Sequence, residues 1–262
     1  METPRTSLRR PSRAPWIAIG IAVLVGAGAA IWYSRSKPTA PPAAEQPTAQ
    51  PTAIASETPS GPDLDAAAAR ALLDGVSQDE LVRKGTSQED VVRRWAIVTD
   101  NLAEGVSPRK QLQFLAPHGK FSVVDRGGKL VMSPESYARY DRFGDAVASI
   151  DVAAAVKAYR AMHGMVERAY RALGYPEGSL DRITARALRR IAAVPVLGGD
   201  VEVVAEGGGF YRFADPKLQA LGDTEKHLLR MGPRNAGIVQ AKARELLAAL
   251  GFSDAPPGGA SR

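Results

Sequence analysis

Between Arg13 and Arg35 no residue carries a charge, and Ala14 to Tyr33 supplies 20 mostly apolar positions. At about 1.5 Å rise per residue, a helix of that length crosses the ~30 Å hydrocarbon layer of a bilayer. A helix apolar on every side has no aqueous face, so the rest of the chain must be arranged around a membrane. Trp16 at one end, and Trp32 with Tyr33 at the other, place amphipathic rings at both headgroup levels. Arg5, Arg9, Arg10 and Arg13 precede the span, whereas Arg35 and Lys37 follow it. That bias predicts a cytoplasmic N-terminus and a periplasmic C-terminal region, in a single-pass protein of the inner (plasma) membrane. The rival reading is a cleaved export signal, favoured by the small residues Ala27-Gly28-Ala29 and opposed by the run's length and by Ile31-Trp32-Tyr33. Both readings export what lies downstream.

Seven prolines fall within the 25 residues from Pro38 to Pro62, and Pro-Thr-Ala recurs at 38, 47 and 51. Such a segment cannot build a core, and as polyproline II at about 3.1 Å per residue it reaches up to ~75 Å. The expected organisation is a basic cytoplasmic N-terminus (1–13), a transmembrane helix (14–34), a disordered Pro/Ala/Thr-rich linker (35–63), an exported globular domain (64–252) and a disordered tail (253–262). Within 64–252 there are 27 basic and 23 acidic side chains, too mild an excess for a nucleic-acid partner. The absence of cysteine excludes disulfides, thiol nucleophiles and thiolate zinc sites.

Helical periodicity dominates the exported region. Val152, Val156, Tyr159, His163, Val166, Tyr170 and Leu173 step by four and three, drawing one apolar stripe. Further helices are predicted at Leu64–Leu73, Gln78–Arg83, Gln88–Leu102, Leu180–Ala193 and Pro233–Leu250, with a short one around His227. The last opens on proline and stops at Gly251, the usual asymmetry of helix ends. Phe121–Asp125 and Lys129–Met132 flank a Gly-Gly turn, and Val201–Ala205 and Phe210–Phe213 flank three glycines, so both read as hairpins. The expected fold is α+β, mainly helical with one or two small antiparallel hairpins.

No Gly-x-Ser-x-Gly elbow and no histidine pair at metal-ligand spacing occurs, so neither a catalytic set nor a metal or cofactor is expected. Of the histidines, His163 reads as a hydrogen-bonded core residue, His118 as part of a turn and His227 as helical. Two basic features are the candidate binding residues. Arg182, Arg186, Arg189 and Arg190 share one helix face, which either docks an anionic partner or is a solvated face neutralised by Asp181 and other carboxylates. Arg230, Arg234 and Asn235 surround the start of the final helix, whose free N–H groups favour an anion or an internal acid such as Asp215.

Several stretches resemble a family of bacterial proteins catalogued as domain of unknown function 3014. They are Asp100-Asn101-Leu102, Tyr137-Ala138-Arg139-Tyr140-Asp141, Gly174-Tyr175-Pro176, Tyr211-Arg212-Phe213-Ala214-Asp215-Pro216, and Leu229-Arg230-Met231-Gly232-Pro233 with Asn235-Ala236. The resemblance implies a membrane helix and a proline-rich spacer, and it brings no activity with it. The family's usual Pro-Glu-Asn-Ala is Pro233-Arg234-Asn235-Ala236 here. The function expected is a non-enzymatic binding or scaffolding domain at the cell envelope. It would touch the bilayer through residues 14–34 and an anionic envelope component or envelope protein through its folded part. The alternative is an envelope hydrolase or transferase using carboxylates such as Asp100, Asp141 or Asp215, which would have to converge in one cleft. A concave surface lined by Tyr137, Arg139, Tyr211 or Arg230 is the place where a ligand is sought.

Overall fold

Helix starts are written into the chain as acidic and hydroxyl caps. Asp65 accepts from the Ala68 amide at 2.7 Å, Asp79 from Leu81 at 2.8 Å and Asp151 from Ala154 at 2.7 Å, while Ser179 accepts from Arg182 at 3.4 Å. Each satisfies an amide that the first turn would leave without a partner. The computed structural model describes residues 64–252. The elements run α1 (Ala66–Asp74), α2 (Glu80–Thr86), α3 (Val91–Glu104), a 3-10 turn (Gln113–Leu115), β1 (Val123–Arg126), β2 (Lys129–Met132), α4 (Pro134–Ala138) and α5 (Asp141–Ala148). They continue with α6 (Val152–Arg171), α7 (Leu180–Ala193), β3 (Val203–Gly207), β4 (Phe210–Phe213), α8 (Pro216–Gln219), α9 (Asp223–Arg230) and α10 (Gly232–Leu250).

The core forms where α3, α6, α7 and α10 pack on one another, with α5 against α10 and α1 against α6. Trp95, Met162, Leu188, Ala187, Val166 and Leu247 meet there, all essentially inaccessible to water. Burying each large apolar side chain stabilises by about 1.5–3 kcal/mol, and this replaces the disulfides the chain lacks. On α6 the buried stripe includes Ala155, Ala158 and Met162 beside the expected Val156, Tyr159, Val166 and Tyr170. His163, expected in the core, lies at the stripe's edge with its side chain 30% exposed.

Both hairpins form, and the fold is α+β with a mainly helical body and two small antiparallel ribbons. Gly127 and Gly128 turn the first with φ of 65° and 85°, the doubly positive geometry that matches strand twist. In the second, the register slips between Ala205 and Gly207. The hairpins meet side by side through one bridge, Val131 with Glu202, and the Met132 amide donates to the Val201 carbonyl at 3.0 Å. Val201 and Glu202 are thus occupied by the neighbouring hairpin, so β3 begins two residues later than expected. Strand β1 likewise starts at Val123 because Ser122 turns aside to Ser133 and Ser136, its amide donating to Ser136 Oγ at 2.7 Å.

No helix among the described residues is long and apolar enough to cross a membrane. The expected span at 14–34, the linker at 35–63 and the tail at 253–262 lie outside the described residues.

Candidate functional site

The start of α10 is joined to α4 and α5 by a close backbone approach. Gly232 has φ 77°, and a Cβ there would stand 2.5 Å from Tyr137 Cγ, so the Tyr137 side chain packs directly against bare backbone. Three residues on, Asn235 is only 1% exposed. Its Nδ2 donates to the Tyr137 carbonyl at 3.2 Å, the Met231 carbonyl at 3.2 Å and Asp141 Oδ1 at 2.9 Å. Its Oδ1 accepts from Arg234 Nη1 at 2.9 Å. Arg234 also pairs with Asp145 at 2.6 Å and Asp141 at 3.4 Å. Arg234 and Asn235, two of the expected binding residues, therefore clamp α10 to α5. Asp215, expected as an acid for this helix start, instead caps α8 by accepting from the Lys217 amide at 2.7 Å. It heads its own short helix across a Pro216 start, so its carboxylate is used locally.

The arginine face of α7 is largely spent on neighbouring carboxylates. Arg186 pairs with Glu104 at the end of α3, and Arg190 pairs with Glu225 on α9 while Nε donates to the Ala103 carbonyl at 3.1 Å. Arg189 is half-buried and also engaged, and Arg182 is exposed. Asp181, expected to neutralise this face, turns to α6: it accepts from Tyr159 at 2.5 Å and meets His163 Nε2 at 3.0 Å. That contact raises the His163 pKa above its ordinary value, and it lowers that of Asp181.

Arg139 and Arg230 behave differently. Both are half-buried, and neither makes an ion pair among the described residues. Arg139 donates only to the carbonyls of Ser136 at 3.2 Å and Gly119 at 3.3 Å, and its guanidinium sits 5.7 Å from the Phe121 ring centre and 5.4 Å from that of Tyr140. Arg230 donates to the Tyr211 carbonyl at 3.3 Å and lies 4.8 Å over the Phe213 ring. Phe121 and Tyr211 pack on each other at 5.3 Å, which connects the two arginines through one aromatic wall. Burial pulls the Arg230 pKa down from its ordinary value.

His227, one turn before Arg230 on α9, is 4% exposed. Its ring meets Tyr140 edge-on at 5.6 Å and 87°. Neither ring nitrogen has a hydrogen-bond partner among the described residues. Burial, then the positive charge of Arg230 and Arg139, holds its pKa well below 6.5, so the imidazole is neutral. Of the four residues sought as a pocket lining, Arg139, Tyr211 and Arg230 meet through this wall, supplied by the turn after α4, β4 and α9, while Tyr137 packs on Gly232. Sequence reasoning missed His227, Phe121, Tyr140 and Phe213 as its other parts; Tyr140 and Phe213 stand inside family-like stretches, which was the available signal.

The remaining candidates are dispersed. Asp100 accepts from Tyr175 Oη at 3.3 Å, Asp141 serves the Asn235 clamp and Asp215 caps α8. Each carboxylate has a separate partner. His118 is exposed in a loop, and no group of acidic and histidine side chains among the described residues could hold a metal ion. A profile described as Protein of unknown function (DUF3014) matches residues 91–247. Neither a curated protein nor a solved structure matches.

Proposed function

We propose, from the premise that this chain belongs to the DUF3014 family, that it is a non-enzymatic binding domain held at the outer face of the inner membrane. Residues 14–34 are its anchor, 35–63 its spacer, and an anionic envelope component its partner. One observation supports the binding role above the others: two guanidiniums, Arg139 and Arg230, are half-buried against aromatic rings and make no ion pair among the described residues, with Asp223 acting on Arg230 only through space. Removing a cation from water without a counter-charge is costly, and an arriving anion relieves that cost. The other arginines at the candidate sites, Arg186, Arg190 and Arg234, already have acidic partners. The side of the membrane rests on the arginine bias around the apolar run.

Two measurements test the reading on the full chain in phosphatidylcholine nanodiscs and in cells. Titration with small anions should show saturable binding in the wild type and none in the doubly substituted R139Q/R230Q chain. A reporter active only in the cytosol, fused after Arg262, should be inactive; activity there inverts the topology and removes the envelope assignment.

A further inference from the structure

Between the outward side of α6 and the end of α10 lies a shallow hollow of about 700 Å³, open to water and lined by Ala153, Val156, Lys157, Arg160, Ala161 and Ala249. It exists because Ala153 and Ala161, about two turns apart on one exposed helix face, carry only a methyl group, as does Ala249 opposite. The floor is therefore apolar, and the rim is cationic. Lys157 and Arg160 are neighbours on the helix surface at this spacing, where like charges repel. Neither makes an ion pair among the described residues. Arg160 Nη2 donates to the Ala249 carbonyl at 3.3 Å, which fixes its guanidinium at the rim. The acids nearby are spent elsewhere. Asp151 caps α6 through the Ala154 amide at 2.7 Å, Glu167 is buried against Arg171, and Glu245, one turn before Ala249, is held by Lys242 at 2.9 Å.

A matching occupant has one negative group for the two cations and an apolar part for the alanine floor. A second copy of this chain does not match, because a symmetric contact would set Lys157 and Arg160 against their own counterparts. A lipid with an anionic headgroup does match, and a bilayer holding residues 14–34 keeps such lipids within reach of a tether of up to ~75 Å. We infer that this hollow docks an anionic lipid headgroup of that bilayer, its phosphate on Lys157 and Arg160 and the first carbons of its tails against Ala153, Val156 and Ala249. The inference rests on the anchor in the proposed function and uses neither Arg139 nor Arg230.

The test places the full chain in nanodiscs of phosphatidylcholine alone and of an equimolar mixture with phosphatidylglycerol, and follows amide deuterium exchange at the end of α10. The Gly251 and Phe252 amides close that helix on the Ala248 and Leu247 carbonyls, beside Ala249. Their exchange should slow by about fivefold or more in the mixed discs, the weight of one basic side chain beside an anionic surface. K157Q/R160Q should abolish the slowing. So should A161E, which sets a carboxylate in the hollow at an exposed helix position that tolerates glutamate. Equal exchange in the two discs overturns the inference, and that comparison needs no substituted chain. Slowing that survives K157Q/R160Q overturns it too, since another face then meets the lipid. The same slowing produced by inorganic phosphate in phosphatidylcholine discs means a free anion and removes the lipid. Slowing that follows the number of chains per disc instead of the lipid means a second copy, and also removes it. A chain that does not stay with phosphatidylcholine discs removes the anchor of the proposed function; vesicles of the equimolar mixture added to it then decide the hollow by the same exchange.

Discussion

Replacing Asn235 by alanine leaves the Tyr137 and Met231 carbonyls without their shared side-chain donor and opens a gap between α10 and α5. The expected loss is about 2–3 kcal/mol of unfolding free energy, read as a lower urea midpoint with an unchanged slope. The two structured histidines act on stability with opposite signs. His227 is held well below 6.5 by burial and by Arg230 and Arg139, so as pH falls below about 6.5 the unfolded chain takes a proton that the folded chain refuses. Stability should then fall with decreasing pH, approaching about 1.4 kcal/mol per unit, and H227F should flatten that acid limb. His163 is raised by Asp181, so its contribution is complete below about 6.5 and is lost as pH climbs through its folded value. H163F should flatten the limb above about pH 6.5. Urea midpoints from pH 5 to 8 check both signs. The histidine partners were not legible in the sequence, because Asp181 lies on α7 and Arg139 on the turn after α4, and spacing along one helix says nothing about a neighbour's side chains.

At the level of elements, two glycines with the same backbone shape should respond differently to alanine. Gly232 and Gly251 both have φ 77°, but a Cβ at Gly232 would strike Tyr137 whereas one at Gly251 meets nothing within 4 Å. G251A should cost about 1 kcal/mol, the conformational part alone, and G232A about 2 kcal/mol or more. Thermal melts of the two variants in parallel separate the terms. The long helices were legible because a run of 14 to 20 residues, as in α3, α6 and α7, repeats its apolar spacing several times. The short α4, α5 and α8 were not. Four to eight residues hold too few turns to show a period, and these helices exist because α10, β4 and the caps at Ser133 and Asp215 hold them in place. Of the candidate site, the sequence revealed Arg230 as a place to look, but it could not show that Arg234 and Asn235 are committed to a clamp. That distinction depends on where Asp141 and Asp145 lie.

For the molecule as a whole, the described residues build one buried cluster running from Ala69 to Leu247. A fragment of those residues should therefore fold without residues 1–63 and melt cooperatively, at a temperature matching that of the domain in the full chain; differential scanning calorimetry of the two checks this. The aromatic wall beside Arg139 and Arg230 straddles the join between the two ribbons. One side of it hangs from β4, through Tyr211 and Phe213, and another from Phe121 just ahead of β1. The two ribbons are joined by the Val131–Glu202 bridge, by the Met132 to Val201 hydrogen bond and by the ion pairs Lys129 to Glu202 at 2.8 Å and Arg126 to Asp200 at 3.2 Å, whose four side chains are at least 40% exposed. Added salt screens such pairs, so the ribbons should part more readily as ionic strength rises, and the Met132 amide should exchange with deuterium faster than that of Ala187 deep in α7. The pairing of Phe121 with Tyr211 would then depend on a seam that opens before the helical body unfolds.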